Sequence, residues 1–440
     1  MGPTQDYVSV SLGTVDATYS NLPRGNNNTE DDSASETSTI AYDHVDHEAF
    51  ETFQTKVAQL AAEIFPQGST IAIDRMKGGS SNRVIGLTVS PPRTRKFVPK
   101  WIARYFQRRR SSNKQDGSTK YILRIPRFDV NALEWEVAAL NVIASRLPLP
   151  TPKVVKYDVT KHNALGKPYM LQEQLPGHNL SAVADELNLE QWKCVAKSVT
   201  EISSTIAAFT SLSAGEMSLD NLSTAQSSDV HIEKFCVPHR GTTSEDFSKP
   251  NTWPAMPQDP LSFMLEQCER WREYQISAGV CWDHVWDGFS EISKSLHERG
   301  FLDGPFCLAH GDLLGYNFLV DVKDSATVEV TGVLDWDTAV FAPKFMAYRA
   351  PFWLWTDDDV DSYEEDDEDK ATVEPEGEKE KALKRVFEAE ASEEFKKFAF
   401  APEAMLARRM FAILKGGMFS GQAVQEAEDI LSEWEDLSSE

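Results

Sequence analysis

Apolar positions recur every three or four residues between residues 47 and 65, which predicts an amphipathic helix. Its apolar face comprises Phe50, Phe53, Val57, Leu60, Ala61 and Ile64. Two β-rich runs follow within residues 70–90, and YILRIPR at 121–127 reads as a further strand. The next segment, NALEWEVAALNVIASRL, returns to a helical pattern. This order predicts a β-rich N-terminal part.

The pattern becomes mostly helical beyond residue 180. WKCVAKSVTEISSTIAAFTSL is a strong example, whereas residues 214–258 are irregular and contain Ser, Pro and Asp. Two helices, over 381–399 and 402–436, are predicted to close the chain. We therefore predict an α+β protein with a β-rich part at 46–173 and a larger helical part at 174–440.

Two polar stretches depart from these patterns. Residues 1–45 are rich in Ser, Thr, Asn, Asp and Glu, and cannot bury enough apolar surface to offset the entropy of ordering, so we expect a disordered tail. Residues 357–369 contain ten Asp or Glu residues and no base. Because like charges repel one another, we predict a flexible, solvated excursion over 356–380.

A basic insertion at 91–119 separates the second and third predicted strands. Residues 93–120 hold ten Lys or Arg residues against Asp116 alone. Aromatic residues lie among these bases, so residues 93–110 suit weak contact with an anionic membrane surface or a protein partner. A solvated appendage whose aromatic side chains pack on the N-terminal part is the equally simple alternative.

Composition limits the functional classes. The net charge of -25 argues against binding nucleic acid, which requires clustered cations. The five cysteines are scattered and form no CxxC pair, as in a reduced protein without a zinc site. Neither a membrane span nor a secretory signal is apparent. We expect a cytoplasmic protein. A mitochondrial location is the alternative, although Arg24 is the sole Lys or Arg among the first 50 residues.

The strongest chemical pattern lies in LAHGDLLGYNFLV at 308–320 and TGVLDWDTA at 331–339. Asp312 and Asn317 share one short loop, and Asp335 follows an apolar run typical of a strand. Carboxylate and amide oxygens suit Mg²⁺, so Asn317 and Asp335 are candidate metal ligands. Asp312 is the candidate base for a hydroxyl, and His310 is expected to support the loop by hydrogen bonding.

The order His310, Asp312, Asn317 and then Asp335 resembles the catalytic loop and metal-binding aspartate of kinase-like phosphotransferases. The HGD start, with LDW in place of DFG, is most similar to the aminoglycoside phosphotransferase family, whose relatives include choline and fructosamine kinases. The resemblance covers roughly residues 70–355. It implies a bilobal protein-kinase-like fold with the catalytic loop at 308–339, and the use of ATP and Mg²⁺.

The same resemblance assigns nucleotide contacts in the N-terminal part. The segment GGSSNRV matches a glycine-rich phosphate loop of the fungal branch, although a plain hairpin turn is the simpler interpretation of the residues alone. Arg124 stands where the family has Lys, and Glu136 is its expected partner, with a solvated helix acid as the alternative. The predicted nucleotide-binding residues are Gly78, Gly79, Ser80, Ser81, Asn82, Arg124, Glu136 and, at the hinge between lobes, Glu173 and Leu175.

The sequence thus predicts a phosphotransferase that moves the γ-phosphoryl group of ATP to a hydroxyl of a small molecule. A protein side chain is the alternative acceptor. A catalytically weak, kinase-like binding module is the alternative from another class, and Arg124 in place of Lys favours it.

Overall fold

The computed structural model describes residues 48–76, 82–92, 117–127, 130–219, 230–237, 254–356 and 365–439. Several predicted features lie outside the described residues. These are the N-terminal tail at 1–45, the glycine-rich turn at 78–81, the basic segment at 93–110 and residues 357–364 of the acidic excursion.

Five antiparallel strands form a sheet in the described N-terminal residues. They are Thr70–Arg75 (β1), Asn82–Ser90 (β2), Thr119–Pro126 (β3), Val154–Asp158 (β4) and Tyr169–Glu173 (β5). Their order in the sheet is β1-β2-β3-β5-β4. Arg124 on β3 lies opposite Val84 on one neighbouring strand and Met170 on the other. Since β3 is hydrogen-bonded along both edges, the backbone that carries Arg124 is held firmly.

Two helices accompany this sheet. Helix α1, Phe50–Ile64, is the predicted amphipathic helix, and it buries Phe53, Val57 and Leu60 in a small core with strand residues such as Leu123. Helix α2, Val130–Arg146, packs differently. Its buried Val137, Leu140 and Ile143 belong to the larger core of the C-terminal part, so α2 joins the sheet to the helical region.

Helices dominate the C-terminal part. They are Leu180–Val183 (α3), Leu189–Ala207 (α4), Pro260–Ser277 (α5), Asp283–Glu298 (α6), Lys344–Ala347 (α7), Glu378–Glu390 (α8), Glu393–Phe400 (α9), Pro402–Gly416 (α10) and Gly421–Ser439 (α11). Large aromatic side chains, among them Trp271, Trp286 and Phe289, are completely buried between them. Burial of apolar area on this scale is the main source of stability in the helical part.

Short antiparallel strands position the two loops that carry the candidate catalytic and metal-binding residues. These loops, 310–317 and 334–339, are called the two chemical loops below. The strands are His178–Asn179 (β6), Thr210–Ser211 (β7), Gly215–Met217 (β8), Ile232–Glu233 (β9), Phe306–Ala309 (β10), Phe318–Val322 (β11), Val328–Val333 (β12) and Val340–Ala342 (β13). Ala309 pairs with Val340, and Phe318 pairs with Val333. Loops 310–317 and 334–339 are therefore closed at both ends by strand pairs and must run side by side.

The predicted fold class is confirmed: a β-rich N-terminal part precedes a mostly helical C-terminal part in an α+β chain. None of the described helices is long and apolar enough to cross a membrane.

Part of the segment predicted to be a flexible acidic excursion is folded. Glu365–Ala371 forms a 3-10 helix and α8 begins at Glu378, so the prediction of a flexible segment through residue 380 is wrong for this portion. Contacts with residues distant in sequence explain the difference. The buried carboxylate of Glu368 accepts a hydrogen bond from Arg408 at 2.7 Å and pairs with Arg349 at 2.5 Å.

Each of the two predicted C-terminal helices is divided in the structure. Ser392 caps α9 by accepting a hydrogen bond from the backbone of Phe395. Gly417 ends α10 with φ +81°, and a Cβ atom there would lie 2.3 Å from the ring of Trp271. Apolar periodicity continues through both breaks, which is why the pattern alone merged the helices.

Replacing Glu368 with alanine should lower the free energy of unfolding by about 3–5 kcal/mol, because the guanidinium of Arg408 would remain buried without its carboxylate partner. Chemical denaturation measures this change. Glu374→Ala is the matched control: that carboxylate is exposed, 3.5 Å from Lys384, and its loss should cost under about 1 kcal/mol. Equal losses in the two variants would contradict the importance of the buried cluster.

Candidate active site

His310 connects the two chemical loops from beneath. Its imidazole is 3% exposed, and Nε2 donates a hydrogen bond to the carbonyl of Leu334 at 2.9 Å. Nδ1 accepts from the backbone N–H of Asp312 at 3.3 Å. This donor and acceptor pair requires the neutral ring. Burial lowers the pKa of His310, although the charges of Asp312 and Asp335 oppose that shift.

Gly311 allows the loops to approach closely. Its φ is +87°, and a Cβ atom would lie 2.7 Å from the hydroxyl oxygen of Thr338. That hydroxyl donates a hydrogen bond to the carbonyl of His310 at 2.8 Å. The glycine of the HGD sequence is thus required both by its backbone conformation and by lack of space.

Asp312 and Asn317 are brought into direct contact. The amide Nδ2 of Asn317 donates to a carboxylate oxygen of Asp312 at 3.0 Å and to its backbone carbonyl at 2.8 Å. Asn317 is 4% exposed, so these contacts hold a buried amide. Because Nδ2 donates to Asp312, the remaining polar atom of the amide is Oδ1, an oxygen that can bind a cation.

Asp335 has an unusual backbone. Among the described residues it is the one non-glycine residue with positive φ, at 62°. Such a conformation costs about 1–3 kcal/mol and persists where surrounding contacts enforce it. One of those contacts crosses to the sheet: Oδ1 of Asp335 accepts a hydrogen bond from Nη2 of Arg124 at 2.6 Å.

Arg124 bridges two carboxylates. Its Nη1 contacts the carboxylate of Glu136 while Nη2 contacts that of Asp335, and the arginine side chain is 11% exposed. The expected contact with Glu136 is therefore present, and Asp335 is a second partner. Burial by itself lowers the pKa of Arg124, but the two carboxylates outweigh it and the pKa is raised. Burial also raises the pKa of Glu136, and the adjacent guanidinium opposes that shift.

Asp337 adds a third acidic group near Asp312 and Asp335. Burial, followed by repulsion from Asp335, raises the pKa of Asp337 to about 6, while Arg124 partly offsets the rise. The site consequently combines several negative groups with few positive ones, an arrangement that favours a cation.

The predicted hinge residues follow the sheet edge. The backbone N–H of Glu173 donates to Lys153 and that of Gln174 donates to Lys120. These two amides are committed to the sheet, so they are not available as donors to an adenine ring. Leu175 comes next, and its side chain lies against Gly332 near the second chemical loop.

Part of the predicted phosphate loop can be located. Gly78, Gly79, Ser80 and Ser81 lie outside the described residues. Asn82 begins strand β2 and pairs in register with Pro126. Since Pro126 is two residues beyond Arg124, Asn82 lies near the end of β3 that follows Arg124.

Two neighbours of Asp312 were not identified from the sequence. The hydroxyl of Tyr316 donates to both carboxylate oxygens of Asp312, at 2.8 and 3.1 Å. The side-chain Nδ2 of Asn179 holds the carbonyl of Tyr316 at 2.6 Å. The sequence contains only indirect signs of these contacts. Tyr316 is the residue before Asn317, and Asn179 is of a type that often caps helices, which it also does here.

A cavity of about 70 Å³ opens beside Asp312. Residues from the catalytic loop, α4 and the segment after β13 line it, including Ile206, Leu313, Met346, Arg349 and Trp353. The indole Nε1 of Trp353 donates to the carbonyl of Leu313 at 3.1 Å, so one wall is tied to the catalytic loop. This mixed apolar and charged recess is the candidate position for an acceptor.

The residues fit a hard divalent cation shared with a second ligand. In the described part of the chain, no group of three or more His, Cys, Asp or Glu side chains is placed to hold a metal by itself. Asn317 and Asp335 instead present an amide and a carboxylate, a set that Mg²⁺ completes with phosphate and water oxygens. Asp335 retains its second oxygen for this purpose, since Arg124 contacts Oδ1.

A family model for the phosphotransferase enzyme family, APH, matches residues 100–363, more than half of the chain. The GDP and kanamycin complex of APH(2")-IIia is 14% identical with a TM-score of 0.42, the alignment covering 86% of this chain and 97% of that one. Aminoglycoside phosphotransferase APH(4)-Ia is 15% identical with a TM-score of 0.43, covering 86% and 98%. No curated protein matches the chain.

Replacing Arg124 with methionine should lower the free energy of unfolding by about 3–5 kcal/mol, because the buried carboxylate of Glu136 would lose its cation. Chemical denaturation tests this. The double variant Arg124→Met with Glu136→Leu leaves neither charge of that pair and should recover part of the loss. Lys156→Met, at an exposed position on β4, is the control and should change stability by less than about 0.5 kcal/mol. Wild-type stability in Arg124→Met would refute the bridging role.

Proposed function

Because the chain belongs to the phosphotransferase enzyme family, we propose that it transfers the γ-phosphoryl group of ATP to a hydroxyl of a small-molecule acceptor, with Mg²⁺. The single observation that carries this proposal is the set of hydrogen bonds within the catalytic loop and between it and the loop of Asp335. Asp312 is hydrogen-bonded to Asn317 at 3.0 Å, and Nε2 of His310 is hydrogen-bonded to the carbonyl of Leu334, the residue before Asp335, at 2.9 Å.

Asp312 is the base in this proposal. In phosphoryl transfer the protein mainly positions groups and neutralises charge, so the task of Asp312 is to orient the acceptor hydroxyl and receive its proton. Asn317 holds the carboxylate of Asp312, and His310 holds the backbone N–H of the same residue. The cavity beside Asp312 supplies room for the acceptor.

The nucleotide would lie between the sheet and the catalytic loop. Asn317 and Asp335 are the proposed Mg²⁺ ligands, and the bound ion would neutralise charge on the phosphates. Arg124, held between Glu136 and Asp335, keeps Asp335 aligned and contributes positive charge near the phosphates. Gly78, Gly79, Ser80, Ser81 and Asn82 remain the proposed phosphate loop, with Glu173 and Leu175 at the adenine end.

The second candidate is a kinase-like binding module of low activity. One observation favours it: the guanidinium of Arg124 already contacts two carboxylates, which leaves fewer of its donors for phosphate. The geometry of Asp312 with Asn317 supports the enzyme instead. A hydroxyl on a protein side chain is the alternative acceptor, and the net charge of -25 favours cationic acceptors in either case.

A thermal-shift titration with ATP and Mg²⁺, followed by an ATP-consumption screen over amines, sugars and amino alcohols, separates these candidates. Binding to the folded state alone stabilises it by about 2.7 kcal/mol at a ligand concentration 100 times Kd. The enzyme should respond in both assays. A response in the thermal shift with no consumption of ATP would favour the binding module.

Replacing Asp312 with asparagine should reduce turnover by about 10²–10⁴-fold, because the amide cannot receive the proton of the acceptor. The thermal shift caused by ATP and Mg²⁺ should persist. Asp321→Asn is the matched control, since Asp321 lies on β11 in a surface ion pair with Lys323, and its turnover should match wild type. Undiminished activity in Asp312→Asn would overturn the assignment of the base.

A further inference from the structure

A hydroxyl group already occupies the carboxylate of Asp312. The phenol of Tyr316 donates to Oδ1 at 2.8 Å and also lies 3.1 Å from Oδ2, so it bridges both oxygens. A bridging position is the one that a hydroxyl would take while it is oriented by this carboxylate. The family match does not explain this contact, because no part of the proposed chemistry requires a tyrosine.

The backbone of Tyr316 is anchored independently of Asp312. Tyr316 is the middle residue of the 3-10 helix Gly315–Asn317, and its carbonyl accepts a hydrogen bond from Asn179 at 2.6 Å. The ring is half-buried and packs against the main apolar core. The backbone contact and the packing of the ring therefore hold the phenol next to Asp312.

The hydrogen-bonding capacity of Asp312 leaves limited space for water. A carboxylate has about four lone-pair sites. Tyr316 contacts both oxygens, and Asn317 contacts Oδ2 as well. A water molecule in the position of the phenol would be oriented by the base just as an acceptor hydroxyl is. Its attack on the γ-phosphorus would break the bond to the bridging oxygen, release ADP, and pass the proton through Asp312 to inorganic phosphate.

We propose that Tyr316 stands in for the acceptor hydroxyl on Asp312 when no acceptor is bound, and thereby suppresses hydrolysis of the nucleotide. This inference rests on the proposed phosphotransferase function. When an acceptor enters, its hydroxyl takes one carboxylate oxygen and the phenol retains the other, which the bridging geometry permits. Tyr316 is thus a positioning residue that determines whether water or an alcohol receives the phosphoryl group.

The test needs no knowledge of the acceptor. Tyr316→Phe removes one hydroxyl and retains the packed ring, so the variant should fold as wild type does. With ATP and Mg²⁺ alone, release of inorganic phosphate should rise about fivefold or more, the scale of one hydrogen bond. Adding Asp312→Asn to this variant should return release to background. Tyr274→Phe, a half-buried tyrosine on α5, is the matched control and should hydrolyse ATP at the wild-type rate.

The outcomes separate the two proposals. If Tyr316→Phe binds ATP and Mg²⁺ as wild type does but hydrolyses ATP no faster, the stand-in role is overturned and the phosphotransferase proposal stands. If Tyr316 had a purely structural role, its replacement would lower the melting temperature and the activity together, and would not raise the rate of ATP hydrolysis. If wild type binds no nucleotide in the thermal-shift assay, the proposed function fails, and the role of Tyr316 fails with it.

Discussion

The contact on which the site depends is the bridge from Arg124 to Glu136 and Asp335. Arg124 lies on a strand held along both edges, Glu136 on the helix that enters the C-terminal core, and Asp335 on the second chemical loop. A buried cation between two carboxylates has few alternative partners, and removing Arg124 leaves the buried carboxylate of Glu136 without its cation. The bridge therefore ties the sheet to loop 334–339, and under the proposed function it bounds the space available to the nucleotide. It also supplies a reason for the left-handed backbone of Asp335, whose strain must be offset by contacts such as this one.

The catalytic loop obtains its rigidity from a different source. Strand pairs close both loops at their ends, and His310 joins them in the middle through its two ring nitrogens. Because one nitrogen must donate and the other must accept, the ring has to be neutral. The depressed pKa that burial gives His310 is consistent with this requirement. The imidazole consequently works as a fixed spacer beneath Asp312, and a proton on it would break the bond from the backbone of Asp312.

The sequence was most informative for residues that lie close together along the chain. Asp312 and Asn317 were both identified on one loop and are in contact, and the pairing of Arg124 with Glu136, which the family resemblance implied, is present. Sequence reasoning was incomplete where contacts join distant segments. Asn179 and Tyr316 are 137 residues apart, and the cluster that orders residues 365–371 joins an acidic run to Arg408. The charge pattern of that run predicted repulsion, because buried cations elsewhere in the chain leave no trace in local composition. The hydrogen bonds from the backbone N–H groups of Glu173 and Gln174 likewise could not be predicted, because they depend on how the strands pair.

The balance of charge in the site bears on what can enter it. Asp312, Asp335 and Asp337 lie close enough together that mutual repulsion contributes to raising the pKa of Asp337 to about 6. Arg124 is already shared between Glu136 and Asp335, so it offsets only part of this negative charge. A bare triphosphate would meet strong repulsion from these carboxylates, and a bound divalent cation would reduce that repulsion. Under the proposed function, the acidic character of the loop thus favours the nucleotide as its Mg²⁺ complex, in which the ion would supply the charge neutralisation that Arg124 cannot supply alone.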